Sequence, residues 1–258
     1  MSGFVGGVIV SGASRGLGAA LARRFAAPGV TLGLLARGEA GLHETAAACA
    51  ARGATVRIAA VDVRDAEEVA RTVLKWDAAV PTGLVVANAG IAAGRRPDGS
   101  AETAAEAASQ VSVNLLGAIH LVGPLLPAIH ARGAGRIGLV TSLAAFRGLP
   151  DSPGYSASKA GLWAWGEAIR ADLAGTGAGV TLIAPGFFDS AMGDAWVGAR
   201  PFSLSTEEAA ARIERALRAG RASCVFPLPL AAGLRALALL PTPLADRAVR
   251  LLRFRIRP

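Results

Sequence analysis

Short runs of apolar residues recur along the first two thirds of the chain, at 8–10, 31–35, 55–61, 83–86, 135–140 and 179–184. Their length suits strands, and their lack of strict polar alternation predicts strands buried on both faces. Between them lie stretches with apolar residues at helical spacing: 17–27, 39–52, a segment ending near 79, 109–131, and one that opens at Tyr155 and runs through Trp163, Trp165 and Ile169. Strand and helix in regular alternation predict a parallel sheet covered by helices on both faces. Such a sheet binds its ligand at the carboxyl ends of its strands.

Beyond position 184 the pattern loosens. Residues 187–205 read as a loop or short helical lid whose Phe187, Phe188, Met192, Trp196 and Phe202 would wall an apolar pocket. A helix over 206–219 follows, with Thr206 as its capping residue, and then a strand at 223–226. The remaining stretch, 227–258, forms a C-terminal extension. Leu234, Leu237, Ala238 and Leu240 fall along one helix, and 244–256 carries Arg247, Arg250, Arg253 and Arg255, with Arg257 just beyond.

Composition narrows the function classes. With 258 residues and 52% apolar content the chain can bury one large core, so positions 1–258 are expected to form a single domain with 227–258 appended. No uninterrupted apolar run reaches the length of about eighteen residues that spans a bilayer, and the longest candidate, 225–240, is broken by Arg235 and two prolines. The first ten residues have no basic flank and lead into a glycine turn, which predicts a cytoplasmic protein without a signal peptide. Cys49 and Cys224 are expected as reduced thiols, and His43, His120 and His130 are not spaced as ligands, so no metal site is expected. A net charge of +8 raises the question of nucleic acid, but the arginines are scattered and no aromatic-plus-basic motif accompanies them. An anionic cofactor and a basic tail account for the charge better.

The candidate chemistry gathers at the predicted strand ends. Ser11-Gly12-Ala13-Ser14-Arg15-Gly16-Leu17-Gly18 joins a strand to a helix, and glycines there let the backbone approach a pyrophosphate at the helix N-terminus. The second strand ends in Ala36-Arg37 with no acid to meet a ribose hydroxyl. Arg37, with Arg15, can instead fork to a 2′-phosphate, which predicts NADP over NAD. Asp62-Val63 ends the third strand, where Asp62 either bonds an adenine amino group or caps the next helix. Asn88-Ala89-Gly90 ends the fourth, Asn114 is a polar residue amid apolar helix positions, and Thr141-Ser142 ends the fifth.

Tyr155 is the sole tyrosine, and Lys159 lies four residues on, which places both on one helix face. A phenol of pKa about 10 needs roughly 4 kcal/mol of preferential stabilisation to exchange protons near neutrality. An ammonium at about 4 Å supplies roughly that at an effective dielectric of about 20. The segment is therefore read as an acid–base site.

Together the glycine turn, Asn88-Ala89-Gly90, Asn114, Ser142, Tyr155 with Lys159, and Pro185-Gly186 resemble the short-chain dehydrogenase/reductase family in order and spacing, over roughly residues 5–226. The resemblance implies a Rossmann-type doubly wound α/β fold of about seven parallel strands. It further implies catalytic roles for Asn114, Ser142, Tyr155 and Lys159: Tyr155 exchanges a proton with the substrate oxygen, Ser142 holds that oxygen, Lys159 lowers the phenol pKa and binds the nicotinamide ribose, and Asn114 holds a water. By the same similarity Gly12, Ser14, Arg15, Gly16, Leu17 and Gly18 cradle the pyrophosphate and Asp62 with Val63 meets adenine. Asn88, Ala89 and Gly90 line the ribose, while Pro185, Gly186 and Ser190 flank the nicotinamide. A dimer through the Asn114 and Tyr155 helices is expected on the same ground.

The expected function is NADP-dependent hydride transfer between the nicotinamide and an apolar ketone or secondary alcohol. The alternative is a catalytically silent NADP-binding regulator on the same fold, which the intact acid–base set disfavours. A serine hydrolase is a poor third option, because Ser142 lacks a nucleophile elbow and no histidine follows it. Departures from the family pattern are Ser11 for threonine, Ala87 for asparagine, and the extension itself. That extension either packs on its own domain or a second subunit, or makes a weak peripheral contact with an anionic membrane.

Overall fold

The computed structural model describes residues 6–190, 193, 195–250 and 255–256. Expectations that fall on residues 1–5 and on Met192, Arg253 and Arg257 lie outside the described residues, as does the side chain of Arg255. Seven parallel strands form one sheet: β1 (Gly7–Ser11), β2 (Thr31–Ala36), β3 (Thr55–Ala60), β4 (Thr82–Ala87), β5 (Arg136–Val140), β6 (Gly179–Pro185) and β8 (Ser223–Phe226). Their order is β3-β2-β1-β4-β5-β6-β8, so the winding reverses between β1 and β4 and opens a crevice at the carboxyl ends of the strands there. This is the expected doubly wound fold.

Alternation within each strand supplies both faces of the core. Val8 and Val10 of β1 join Leu84 and Val86 of β4 in one apolar cluster, against α1 (Gly16–Phe25), α2 (Glu39–Ala50) and α6 (Thr206–Arg218). Ile9, Val85 and Ala87 face the opposite cluster, under α3 (Ala66–Ala79), α4 (Ala104–Arg132) and α5 (Pro153–Asp172). Gly33 of β2 has its place because the Trp76 ring of α3 packs closely on it: a Cβ there would sit 2.4 Å from the indole ring.

Several boundaries differ from the sequence reading. The long helix α4 starts at Ala104 rather than 109, because Thr103 and Glu106 form a reciprocal capping box in which the Thr103 hydroxyl accepts from the Glu106 N–H at 3.2 Å. By length and composition α4, rather than 225–240, is the described helix apolar enough to cross a bilayer, but Leu121, Val122, Leu125 and Ile129 bury that apolar surface on the sheet. The cap of α6 is Ser205, not Thr206, since Ser205 has the glutamate three residues on, Glu208, that completes the box. Asp65, not Asp62, caps α3 through a bond from the Glu68 N–H.

The extension packs on its own chain. It forms α7 (Leu228–Leu237) and α8 (Thr242–Val249), so the second helix ends at Val249 instead of running to 256. The Arg235 guanidinium stacks 4.1 Å above the Phe146 ring, and Arg147 pairs with Asp246 of α8 at 2.7 Å. A final strand, β9 (Arg255–Ile256), runs antiparallel to β7 (Trp196–Val197) inside the loop that follows β6. The Ile256 N–H also donates to the Arg95 carbonyl at 2.9 Å, so β9 ties the loop after β6 to the loop after β4.

Candidate active site

A cavity of about 1030 Å³ opens at the carboxyl ends of the strands, at the upper end of the size range for small-molecule sites. It runs without interruption from the glycine turn to α7. Gly12, Ser14, Arg15, Gly16 and Leu17 line one end with Arg37, Asp62 and Val63; Asn88, Ala89 and Gly90 line the middle; Ser142, Tyr155, Lys159, Pro185, Gly186 and Ser190 line the other part. Gly18 and Asn114 stand behind this wall rather than in it.

The glycine turn owes its shape to close packing. A Cβ on Gly18 would lie 2.2 Å from the Gly12 carbonyl oxygen, so α1 can pack against the turn only with glycine there. Gly16, at φ +54°, lines the cavity, and nothing stands within 4 Å of where its Cβ would point. The amides of the first turn of α1 receive no side-chain cap from Arg15, and no acid stands in that turn. An uncapped helix N-terminus facing a cavity over glycines fits an anionic pyrophosphate, so these residues suit a dinucleotide.

Ser11, the departure from threonine, keeps the turn in register with β4. Its hydroxyl accepts from the backbone N–H groups of Asn88 and Ala89, both at 3.1 Å. In return the Asn88 amide donates to the Ser11 carbonyl at 3.0 Å and to that of Gly12 at 3.3 Å.

At the adenosine end, Asp62 does not stand free. The Arg64 guanidinium bonds both its carboxylate oxygens, at 3.1 and 2.7 Å, and holds its pKa below the ordinary carboxylate range against the upward push of burial. Arg37 lies 3.9 Å from the same carboxylate with most of its side chain in solvent. Its guanidinium therefore stands at the rim. A contact not anticipated from the sequence fixes the next residue: the Val63 carbonyl accepts from His120 Nδ1 of α4 at 2.9 Å.

Tyr155 and Lys159 emerge from the first turns of α5, which Pro153 opens with its φ already suited to a helix. The Glu102 carboxylate accepts the Gly154 N–H at 2.5 Å, and the buried Gln110 amide binds Glu102 at 2.8 Å, so this helix start is anchored from α4. Tyr155 and Lys159 are 8% and 4% exposed, so both polar tips are desolvated. The Lys159 ammonium sits 5.7 Å from the phenol ring centre and donates to the Val140 carbonyl at 2.9 Å.

This geometry departs from the expected electrostatics. Burial raises the phenol pKa, with a hydrogen bond to the Ser142 side chain pulling it the other way. Burial likewise brings the ammonium down to about 8. The pair is shaped by desolvation first, and the phenol stays protonated at neutral pH.

Asn114 lies in a π-helical turn, Ser112–Leu116, within α4, and it is 1% exposed. Its amide oxygen accepts the Ile91 N–H at 2.8 Å, while its nitrogen donates to the Ile91 carbonyl at 2.9 Å and to the Ser158 hydroxyl at 3.0 Å. Asn114 thus ties the strand-end loop to the helix of Tyr155. Gly90 sits against it, since a Cβ there would be 3.2 Å from the Asn114 oxygen and 3.6 Å from the Lys159 nitrogen.

Beyond Tyr155 the wall turns apolar. Phe187 and Trp196 meet edge to face at 5.5 Å between ring centres, and Leu143 and Leu149 come from the loop after β5. Leu230 and Leu234 of α7 complete this side, a role the sequence reading did not assign to them. Ser190 turns its hydroxyl to the Gly193 N–H at 2.9 Å.

Comparison with known proteins follows the same lines. The family profile described as short chain dehydrogenase matches residues 7–200. An uncharacterized oxidoreductase of Myxococcus xanthus is 36% identical over 246 residues, covering 95% of this chain and 96% of its own. The ketoacyl reductase HetN of Nostoc sp. is 37% identical over 183 residues, covering 70% of this chain and 62% of its own. Among solved structures, an alcohol dehydrogenase from the archaeon Thermococcus sibiricus complexed with 5-hydroxy-NADP superposes with a TM-score of 0.72 at 27% identity, covering 82% of this chain and 90% of that one. A doubly wound sheet, a glycine turn with nothing capping its helix, and a buried tyrosine–lysine pair thus coincide with relatives that are oxidoreductases: the chain belongs to the short-chain dehydrogenase family and is an NAD(P)-dependent oxidoreductase.

Proposed function

We propose that the protein reduces ketones at the expense of NADPH, with Tyr155 as the proton donor. The observation that carries this reading is the buried phenol of Tyr155, set beside Ser142 on the wall of the cavity that begins at the glycine turn. Bound NADPH supplies the hydride to the carbonyl carbon. Ser142 and Tyr155 hold the carbonyl oxygen by hydrogen bonds, and Tyr155 gives up its proton as negative charge grows there. The phenol is protonated before that moment, as any tyrosine is near neutrality, and the alkoxide forming on the substrate is basic enough to take its proton. Lys159, anchored on the Val140 carbonyl, keeps a positive charge on the same face of α5 and stabilises the phenolate left behind.

Asn114 is a positioning residue, since its three bonds fix the Ile91 loop against Ser158. Gly12 to Leu17 hold the pyrophosphate, Asp62 and Val63 border the adenine, and Arg37 with Arg15 takes the 2′-phosphate. The cofactor in the Thermococcus enzyme, 5-hydroxy-NADP, and the ketoacyl reductase relative both favour this reading. Loss of NADPH absorbance across a panel of ketones tests it. The wild-type protein should turn over at least one of them, and Tyr155→Phe should lose turnover while still binding NADPH. Full activity in Tyr155→Phe would overturn the assignment of the proton donor.

A further inference from the structure

The charged side chains of the cavity wall are unevenly placed. Arg15, Arg37 and Asp62 stand at the glycine-turn end, and among the described residues the wall past Lys159 carries no charge. A substrate seated against these residues meets mostly apolar surface. The far side of that compartment is α7, which belongs to the C-terminal extension. Leu230 and Leu234 lie four apart, hence on one face of the helix, and both reach the cavity.

The helix that carries them is firmly placed. Leu234 and Ala231, 4% and 3% exposed, share an apolar cluster with Leu143 and Ala184, and Leu230 packs at its edge. Gly186 admits the start of α7, because a Cβ there would meet the Pro227 ring at 2.7 Å. The Arg235 stack on Phe146 and the Arg147–Asp246 pair fasten the outer side of the extension.

We propose that Leu230 and Leu234 are specificity-determining residues that receive the unbranched apolar chain of the ketone and set the length that fits. This rests on the ketone-reductase reading above. Each methylene buried ahead of the leucines should raise kcat/KM about fourfold, the fold-change equivalent to about 0.8 kcal/mol per buried CH₂. Once the chain meets the α7 side chains, further methylenes gain nothing. The profile of kcat/KM against chain length should therefore climb and then break.

The test is a series of methyl ketones from butanone to dodecanone, followed by NADPH absorbance with the wild-type protein, Leu230→Phe and Leu230→Ala. Leu230 is half-buried, so both variants should fold, and a circular-dichroism melt checks that they do. The expected result is a break shifted to shorter chains in Leu230→Phe and to longer chains in Leu230→Ala. A break that stays put in both variants, or one common factor lost at every length, overturns the proposal. Should neither variant fold, Leu234→Met decides by the same criterion. Failure of the underlying reading looks different: the wild-type protein would then consume NADPH with none of the ketones.

Discussion

Replacing Lys159 by methionine should make the protein more stable at neutral pH while removing its activity. The ammonium is 4% exposed, and burial lowers its pKa from 10.5 to about 8. That difference corresponds to about 3 kcal/mol of stability forgone at any pH below 8, where both the folded and the unfolded chain carry the proton. Methionine removes this cost and keeps the length and packing of the stem. Against the gain stands the Val140 carbonyl, which loses a donor at 2.9 Å and with it about 1–3 kcal/mol unless cavity water takes its place.

The net expectation is a variant more stable by about 0–2 kcal/mol at pH 7, the upper figure applying where cavity water partly takes over the Val140 carbonyl. The sign of the pH dependence follows from the lowered value. Between pH 8 and 10.5 the folded wild-type chain has released its proton and the unfolded chain has not, so wild-type stability rises by up to about 1.4 kcal/mol per pH unit. The gap should close over that window and reverse near its top, where only the lost hydrogen bond remains. Urea unfolding followed by tryptophan fluorescence from pH 7 to 10 measures both. A variant less stable than wild type at pH 7, or a gap that does not change with pH, would refute the reasoning.

Arg37→Ala should weaken NADPH by about 1.5–3 kcal/mol, roughly tenfold to a hundredfold in Kd, and leave NADH almost untouched. Fluorescence titration with both cofactors checks this, and equal losses would remove the phosphate role. Gly18→Ala drives a methyl group to within 2.2 Å of the Gly12 carbonyl oxygen, so the variant should lose about 1–3 kcal/mol and bind NADPH more weakly. An unchanged melting temperature and an unchanged Kd would show that the turn relaxes without cost.

The parts of the site that rest on local chain geometry were legible from the sequence. A short apolar run followed by a glycine turn specifies strand, turn and helix within about twenty residues, and Tyr155 with Lys159 needs only helical spacing to share a face. What the sequence withheld depends on contacts across the fold. The carbonyl that Lys159 binds comes from β5, and the burial of both side chains is a property of the whole fold, so an ammonium considered without that burial predicted a lowered phenol pKa where burial raises it. The π turn around Asn114 adds one residue to a helical turn and leaves no mark in apolar spacing. Leu230 and Leu234 follow the period of any amphipathic helix, and that period is the same whether the face meets a pocket, a partner or lipid. The cap of α6 was readable, since Ser205 precedes Glu208 by three residues, whereas Thr206 precedes only Ala209 by the same interval.

The two-residue pairing of β9 with β7 has a practical consequence for anyone handling the protein. Trp196 borders the cavity, and the strand beside it is formed by residues 255–256, which come from far along the chain. A substitution or cut that unseats Ile256 is thereby in mechanical contact with the pocket, although it lies far away in sequence.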